Sequence, residues 1–166
     1  MPSDNINIKS VAVIGAGVMG AQLAALFANK GIRSYLYDIT TDTATLGKDR
    51  LKIIKPPPLE QPENIELIQA CGLDKDIHKI KKVDWIIEAV PEKIEIKIEV
   101  FKKISPYIHK RAILSSNTSG ITLNELIRNI PENLKSRFLI THFFNPPRYM
   151  KLMEIVKNEQ TSLETY

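Results

Sequence analysis

The sequence predicts an α/β fold: a doubly wound, mostly parallel sheet with helices on both faces and an antiparallel strand near the C-terminus. Three observations predict it. Apolar runs of strand length, beginning with Val11 to Ile14, alternate along the 166 residues with stretches of helical periodicity. The pair Pro146-Pro147 forces a turn between the last two runs, so that the final one returns beside its predecessor. A glycine turn, Gly15-Ala16-Gly17-Val18-Met19-Gly20, joins the first run directly to a helix start.

The elements follow in order. Val18 to Lys30 reads as the first helix, with Leu23, Leu26 and Phe27 on its apolar face and Gly31 as its C-terminal cap. Ile32 to Tyr37 is a second strand, ending in Asp38. Thr41 to Ile54 reads as helical and stops at Lys55-Pro56-Pro57-Pro58, where prolines cannot continue it. Pro62 extends this irregular stretch, which is either a surface loop or a feature that guides substrate. Val83 to Val90 is a buried strand running into Pro91-Glu92, with Pro91 placed in the first turn of the next helix. There Ile94, Ile98, Phe101 and Ile104 share a face, while Lys93, Glu95, Lys97, Glu99, Lys102 and Lys103 lie mostly elsewhere and read as a solvated surface. Ala112 to Ser116 is another strand, followed by the polar loop Asn117 to Gly120. Thr122-x-x-Glu125 is a capping box opening a helix from Leu123 to Ile130, which Pro131 closes. Phe138 to His142 is the next strand, Pro146-Pro147 forces a turn, and Met150 to Val156 returns beside its predecessor.

Length suits one domain, residues 1–166. The net charge of +4, from 23 basic and 19 acidic residues, suits anionic small molecules. No basic run interleaved with aromatics appears, which argues against nucleic acid. Cys71 stands alone, so no internal disulfide forms and a reducing compartment is favoured. Val11 to Asn29 is uncharged, yet its three glycines, Gln22 and Asn29 argue against a membrane span, and no basic segment marks it as a signal peptide. A cytoplasmic chain without membrane attachment or a metal site is expected.

The glycine turn carries the first chemical reading. Gly15 lets the chain reverse after the strand, Gly17 lets the backbone approach a pyrophosphate, and Gly20 lets the helix pack close to the sheet, the helix N–H groups then facing the phosphates. Asp38, eighteen positions past Gly20, can accept both ribose hydroxyls and would repel a 2′-phosphate, which favours NAD over NADP and a Rossmann-type fold. In open α/β sheets ligands sit beyond the carboxyl ends of the strands. Asp38, Glu92, the Ser115 to Ser119 loop and His142 all fall at such ends. Taken singly each has a plain structural role: Glu92 favours the positive end of a helix, the serines make local turns, and His142 is a satisfied, partly buried histidine. Taken together they read as a site. His142 is the natural general base, because a hydroxyl carbon gives up hydride only as its O–H proton leaves and imidazole titrates near neutral pH. Glu154 lies across the Pro-Pro turn on the returning strand, where its carboxylate can orient the imidazole and stabilise its cation. Ser119 can hydrogen-bond the reacting oxygen.

The blocks Gly15-Ala16-Gly17-Val18-Met19-Gly20, Ile87-Glu88-Ala89-Val90-Pro91-Glu92, Ser115-Ser116-Asn117-Thr118-Ser119 and His142-Phe143-Phe144-Asn145-Pro146 together resemble the NAD-binding domain of the 3-hydroxyacyl-CoA dehydrogenases of fatty-acid β-oxidation. The resemblance runs from about Lys9 to Val156, and the His-Phe-Phe-Asn-Pro block is its most specific part. It implies that His142 is the catalytic base, that Glu154 pairs with it, and that Ser119 contacts substrate and nicotinamide. It places the cofactor on the glycine turn and against Asp38, Glu92, Lys97 and Asn145. It further implies an acyl-CoA substrate and a homodimer formed through a helical C-terminal domain. That domain has no counterpart in these residues, so a fragment or isolated domain of a longer protein, poorly active alone, is expected. The wording is closest to large bacterial forms in which an enoyl-CoA hydratase region follows. The segment after Asp38 departs from the family in its prolines, and no CoA ligand is transferred there. Three other readings compete: a related β-hydroxyacid dehydrogenase, which would normally use a lysine base; a non-catalytic NAD-binding module, either redox sensor or structural protein, against which an intact His142, Glu154 and Ser119 argue; and a protein-interaction domain that retains only the fold.

Overall fold

In the computed structural model, which describes residues 7–166, one seven-stranded sheet runs through the chain. The expected domain also took in residues 1–6, which lie outside the described residues. The strands are β1 (Ser10–Ile14), β2 (Arg33–Asp38), β3 (Ile68–Gly72), β4 (Trp85–Glu88), β5 (Ile113–Ser116), β6 (Phe138–Phe143) and β7 (Met153–Lys157). Their spatial order is β3-β2-β1-β4-β5-β6-β7. All neighbouring pairs are parallel except β6 and β7, so the doubly wound sheet with a final antiparallel strand is as the sequence predicts.

The period of two along β1 divides the core. Val11 and Val13 join one buried cluster, with Leu23, Ala24 and Ala25 of α1 (Val18–Ala28) and Ala44 of α2 (Thr41–Arg50). Ala12 and Ile14 join the other, with Phe101 and Ile104 of α3 (Ile94–Ile104) and Leu126 of α4 (Leu123–Ile127). Burial on both faces explains why β1 carries no polar residue from Val11 to Ile14. The sheet core also holds a polar row. Trp85 Nε1 donates to Ser115 Oγ at 2.9 Å, and Ser115 Oγ shares a hydrogen bond of 2.8 Å with Thr141 Oγ1. This row spans β4, β5 and β6 and fixes their register one residue before His142.

Several expected boundaries move. α1 ends at Ala28 rather than Lys30, with Gly31 at φ +74° just beyond it, and α2 ends at Arg50 rather than Ile54. The capping box at Thr122 forms, but its helix stops at Ile127, and a further short helix, α5 (Glu132–Lys135), follows Pro131. Pro91 is not in the first turn of α3, whose N-cap is Lys93; it precedes the helix in an extended turn. The strand expected from Val83 is only Trp85–Glu88, and the returning strand starts at Met153 rather than Met150. β3 had no counterpart in the sequence reading.

The proline-rich stretch is a packed loop. Arg148 Nη1 donates to the carbonyls of Pro57 and Leu59 at 2.7 and 2.8 Å, and the Tyr149 hydroxyl donates to Pro57 at 2.8 Å. Asn29 Nδ2 at the end of α1 donates to Pro58 at 2.9 Å. The loop is thereby tied to the turn that follows β6. Among the described residues no helix is long and apolar enough to cross a membrane.

Candidate active site

The turn between β1 and α1 has the form its glycines imply. Gly15 sits at φ +107°, where an L side chain would be strained, and its own amide donates to the Tyr37 carbonyl at 2.8 Å. A Cβ on Gly20 would collide with the Gly15 carbonyl, so only glycine lets α1 start this close to β1. Gly17 is the N-cap of α1 and no side chain caps it, while the position its Cβ would occupy has no atom within 4 Å. A helix start with unclaimed amides and open space above them fits a pyrophosphate. Asp38, at the end of β2, is bonded to the same turn: Oδ2 accepts the Ala16 amide and Oδ1 the Ile39 amide, both at 2.8 Å. Each oxygen retains a lone pair for a ribose hydroxyl.

Beside the turn lies a cavity of about 380 Å³ lined by Gly17, Val18, Ala21, Gly47, Arg50, Ile53 and Ile54. It forms because α2 rests directly on the turn: a Cβ on Gly47 would collide with the Ala16 carbonyl. Nothing in the spacing of Gly47 or Arg50 marks them in the sequence.

At the β7 edge of the sheet, His142 and Glu154 are register partners across the antiparallel pair β6 and β7. Residues opposed in this way have adjacent side chains, and His142 Nδ1 lies 2.8 Å from Glu154 Oε2. The His142 ring is tilted against Phe144 with centroids 4.6 Å apart. Phe143 points the other way, into an edge-on cluster with Phe27 and near Trp85, which anchors the strand. The imidazole side chain is 20 % exposed and the carboxylate 55 %.

Between these ends runs the loop after β5. Glu92 Oε1 accepts the Thr118 hydroxyl and the amides of Ser119, Gly120 and Ile121, the last three at 3.0, 2.8 and 3.3 Å. Burial alone would raise the Glu92 carboxyl, but the hydrogen bonds from Thr118 and Gly120, with the Lys97 ammonium alongside, hold it at about 2. Asn117 Oδ1 accepts the Phe143 amide at 2.9 Å, joining the loop to β6. Ser119 is therefore held by its backbone with an exposed position. Asn145 Oδ1 accepts Gln22 Nε2 of α1 at 3.2 Å, which links the His-Phe-Phe-Asn-Pro block to the glycine helix.

Lys97 is not part of a solvated helix surface. It is 1 % exposed, with Nζ 2.7 Å from Glu88 Oε1 and 3.1 Å from Glu92 Oε2. Spacing alone gives no site role to Glu88, Gln22 or Asn117. Glu88 was discoverable, since a carboxylate inside the run Trp85-Ile86-Ile87-Glu88 demands a buried cation.

A dinucleotide turn after the interior strand β1 and an imidazole–carboxylate pair at the antiparallel edge define an NAD-binding domain of dehydrogenase type. Residues 10–166 match the family model described as 3-hydroxyacyl-CoA dehydrogenase, NAD binding domain, and the chain belongs to that family. A fatty acid oxidation complex trifunctional enzyme of Rickettsia felis is 43% identical over 164 residues, covering 95% of this chain and 23% of the relative. A 3-hydroxyacyl-CoA dehydrogenase of Deinococcus radiodurans is 39% identical over 163 residues, covering 94% of this chain and 47% of the relative. The crystal structure of 3-hydroxybutyryl-CoA dehydrogenase from Escherichia coli superposes with a TM-score of 0.80 at 31% identity, covering 96% of this chain and 34% of the other. The chain thus spans between about a quarter and a half of the length of these relatives.

Proposed function

We propose that this domain serves the oxidation of an L-3-hydroxyacyl-CoA to the 3-ketoacyl-CoA, a step of fatty-acid β-oxidation. The observation that carries the reading is the 2.8 Å contact between His142 Nδ1 and Glu154 Oε2. A carboxylate only accepts, so this contact assigns the proton to Nδ1 and leaves Nε2 with a lone pair. Nε2 takes the proton of the substrate hydroxyl, and Glu154 stabilises the imidazolium that results. NAD, when bound, supplies the acceptor for the hydride. Asp38 would hold the adenosine ribose and the amides of Gly17 to Gly20 the pyrophosphate, with Glu92 and Asn145 at the nicotinamide end. Lys97 serves the cofactor from behind Glu92, since its ammonium is already enclosed. Ser119 hydrogen-bonds the reacting oxygen, presented by a loop that four donors fix to Glu92 Oε1. The acyl-CoA and a homodimer interface belong, in this reading, to the longer proteins in which the domain occurs. A purely NAD-sensing module would have no need of the paired imidazole.

The test is steady-state oxidation of an L-3-hydroxyacyl-CoA by a longer protein carrying this domain. His142→Gln should lower kcat by about 10²–10⁴-fold or more while NAD affinity stays within about twofold. Near-normal turnover in that variant would sink the assignment.

A further inference from the structure

A closed set of charges lies between β4, α3 and the loop after β5. Glu88, the last residue of β4, is fully buried. Its Oε1 accepts Lys97 Nζ at 2.7 Å and the Val90 amide at 2.8 Å, and its Oε2 accepts the Ser116 hydroxyl. Lys97 Nζ donates also to the Val90 carbonyl at 3.4 Å and pairs with Glu92 Oε2 at 3.1 Å. Two carboxylates and one ammonium leave a single negative charge. It emerges on one side only, because Glu92 is 40 % exposed while Glu88 and Lys97 are enclosed.

We propose that Glu88 is a positioning residue for the cofactor site: by neutralising Lys97 inside the fold it leaves the Glu92 carboxylate uncompensated toward the cleft, and so tilts the site toward the oxidised, pyridinium form of NAD. The inference rests on the reading above that Glu92 lies against the cofactor. A buried ammonium requires a partner. Without a charged Glu88, Lys97 would draw on Glu92 alone, and the cluster would face the cleft with no net charge. NADH, whose nicotinamide ring is neutral, would feel this change little; the pyridinium cation would lose an attraction. The same set of bonds seats Ser116 on Glu88 and residues 118 to 121 on Glu92, so the cluster also fixes the loop that presents Ser119.

The experiment measures affinities of the 166-residue chain for NAD⁺ by calorimetry and for NADH by fluorescence. In Glu88→Gln the NAD⁺ affinity should fall about 3- to 10-fold relative to that for NADH, the size expected of one charge acting at a partly solvated site. Glu88→Gln with Lys97→Met restores the single negative charge, and the ratio of affinities should return to within about twofold of the unmodified chain. Should Glu88→Gln fail to fold, Glu92→Gln removes the same charge at a partly exposed position and should shift the ratio in the same direction. A purely structural role would weaken both ligands together, and an unchanged ratio in the single variants, or no recovery in the double variant, overturns the inference. An unmodified chain that binds neither form overturns the cofactor reading itself, and the inference with it.

Discussion

Glu92 shows how one side chain can organise a site. Its Oε1 collects donors from Thr118, Ser119, Gly120 and Ile121, and against the upward push of burial the bonds from Thr118 and Gly120, with Lys97, hold the folded carboxyl at about 2, below an ordinary value of 4.5. A pKa depressed by folding contributes stability that is present above the unfolded value and lost as pH falls through the folded one. The contribution of Glu92 is therefore complete above about pH 4.5 and gone near pH 2. Asp76, Asp49, Glu125 and Glu132 are also depressed, so the chain as a whole loses stability in acid. Subtracting the melting curves of Glu92→Gln from those of the unmodified chain isolates one group: the gap in Tm should be wide at pH 6 and close between pH 4.5 and 2. A gap independent of pH would show that the carboxylate charge plays no part in holding the loop.

At the scale of elements, α2 shows why local propensity is a poor guide beside a functional turn. Gly47 lies in the middle of this helix, where glycine costs about 1 kcal/mol relative to alanine, and its place is explained by contact with Ala16. Gly47→Ala should raise helix propensity yet push α2 off the glycine turn, an overpacking cost of about 1–3 kcal/mol. We expect a lower Tm together with NAD affinity weakened by about tenfold or more, read by a thermal melt and a calorimetric titration; a variant stabilised as helix propensity alone would predict, with affinity unchanged, would show that the contact is slack. The same context explains what was legible in the sequence. Strands β1, β2, β4, β5 and β6 were legible because each carries large apolar residues between turn signals, and the His142 and Glu154 pairing because the Pro146-Pro147 turn fixes their spacing. β3, Ile68-Gln69-Ala70-Cys71-Gly72, was not: it has one β-branched residue, and its place comes from pairing with β2 rather than from its own preference. Lys97 reads as surface in the sequence for a related reason. Its charge fits the polar face of α3 by periodicity, and only the buried Glu88 on another element turns it inward.

Over the whole molecule the parts of the site differ in how completely this chain builds them. The glycine turn and Asp38 are set between β1, β2, α1 and α2 and are held by core on both sides of the sheet. His142 and Glu154 stand at the far edge, and every residue of β7 is exposed, Met153, Ile155 and Val156 among them. An apolar strand open on both faces gives the imidazole no wall on its outer side and does nothing to exclude water. Binding and turnover should therefore separate. The 166-residue chain should bind NAD through the turn and Asp38, and yet oxidise an L-3-hydroxyacyl-CoA very poorly, because correct placement of the reacting groups can supply ~7–11 kcal/mol of barrier reduction. The measurement is NADH formation by the purified chain, beside NADH binding followed by fluorescence. Turnover in the ordinary enzyme range of ~1–10³ s⁻¹ would show that these residues suffice and that the open edge at β7 needs no cover for catalysis.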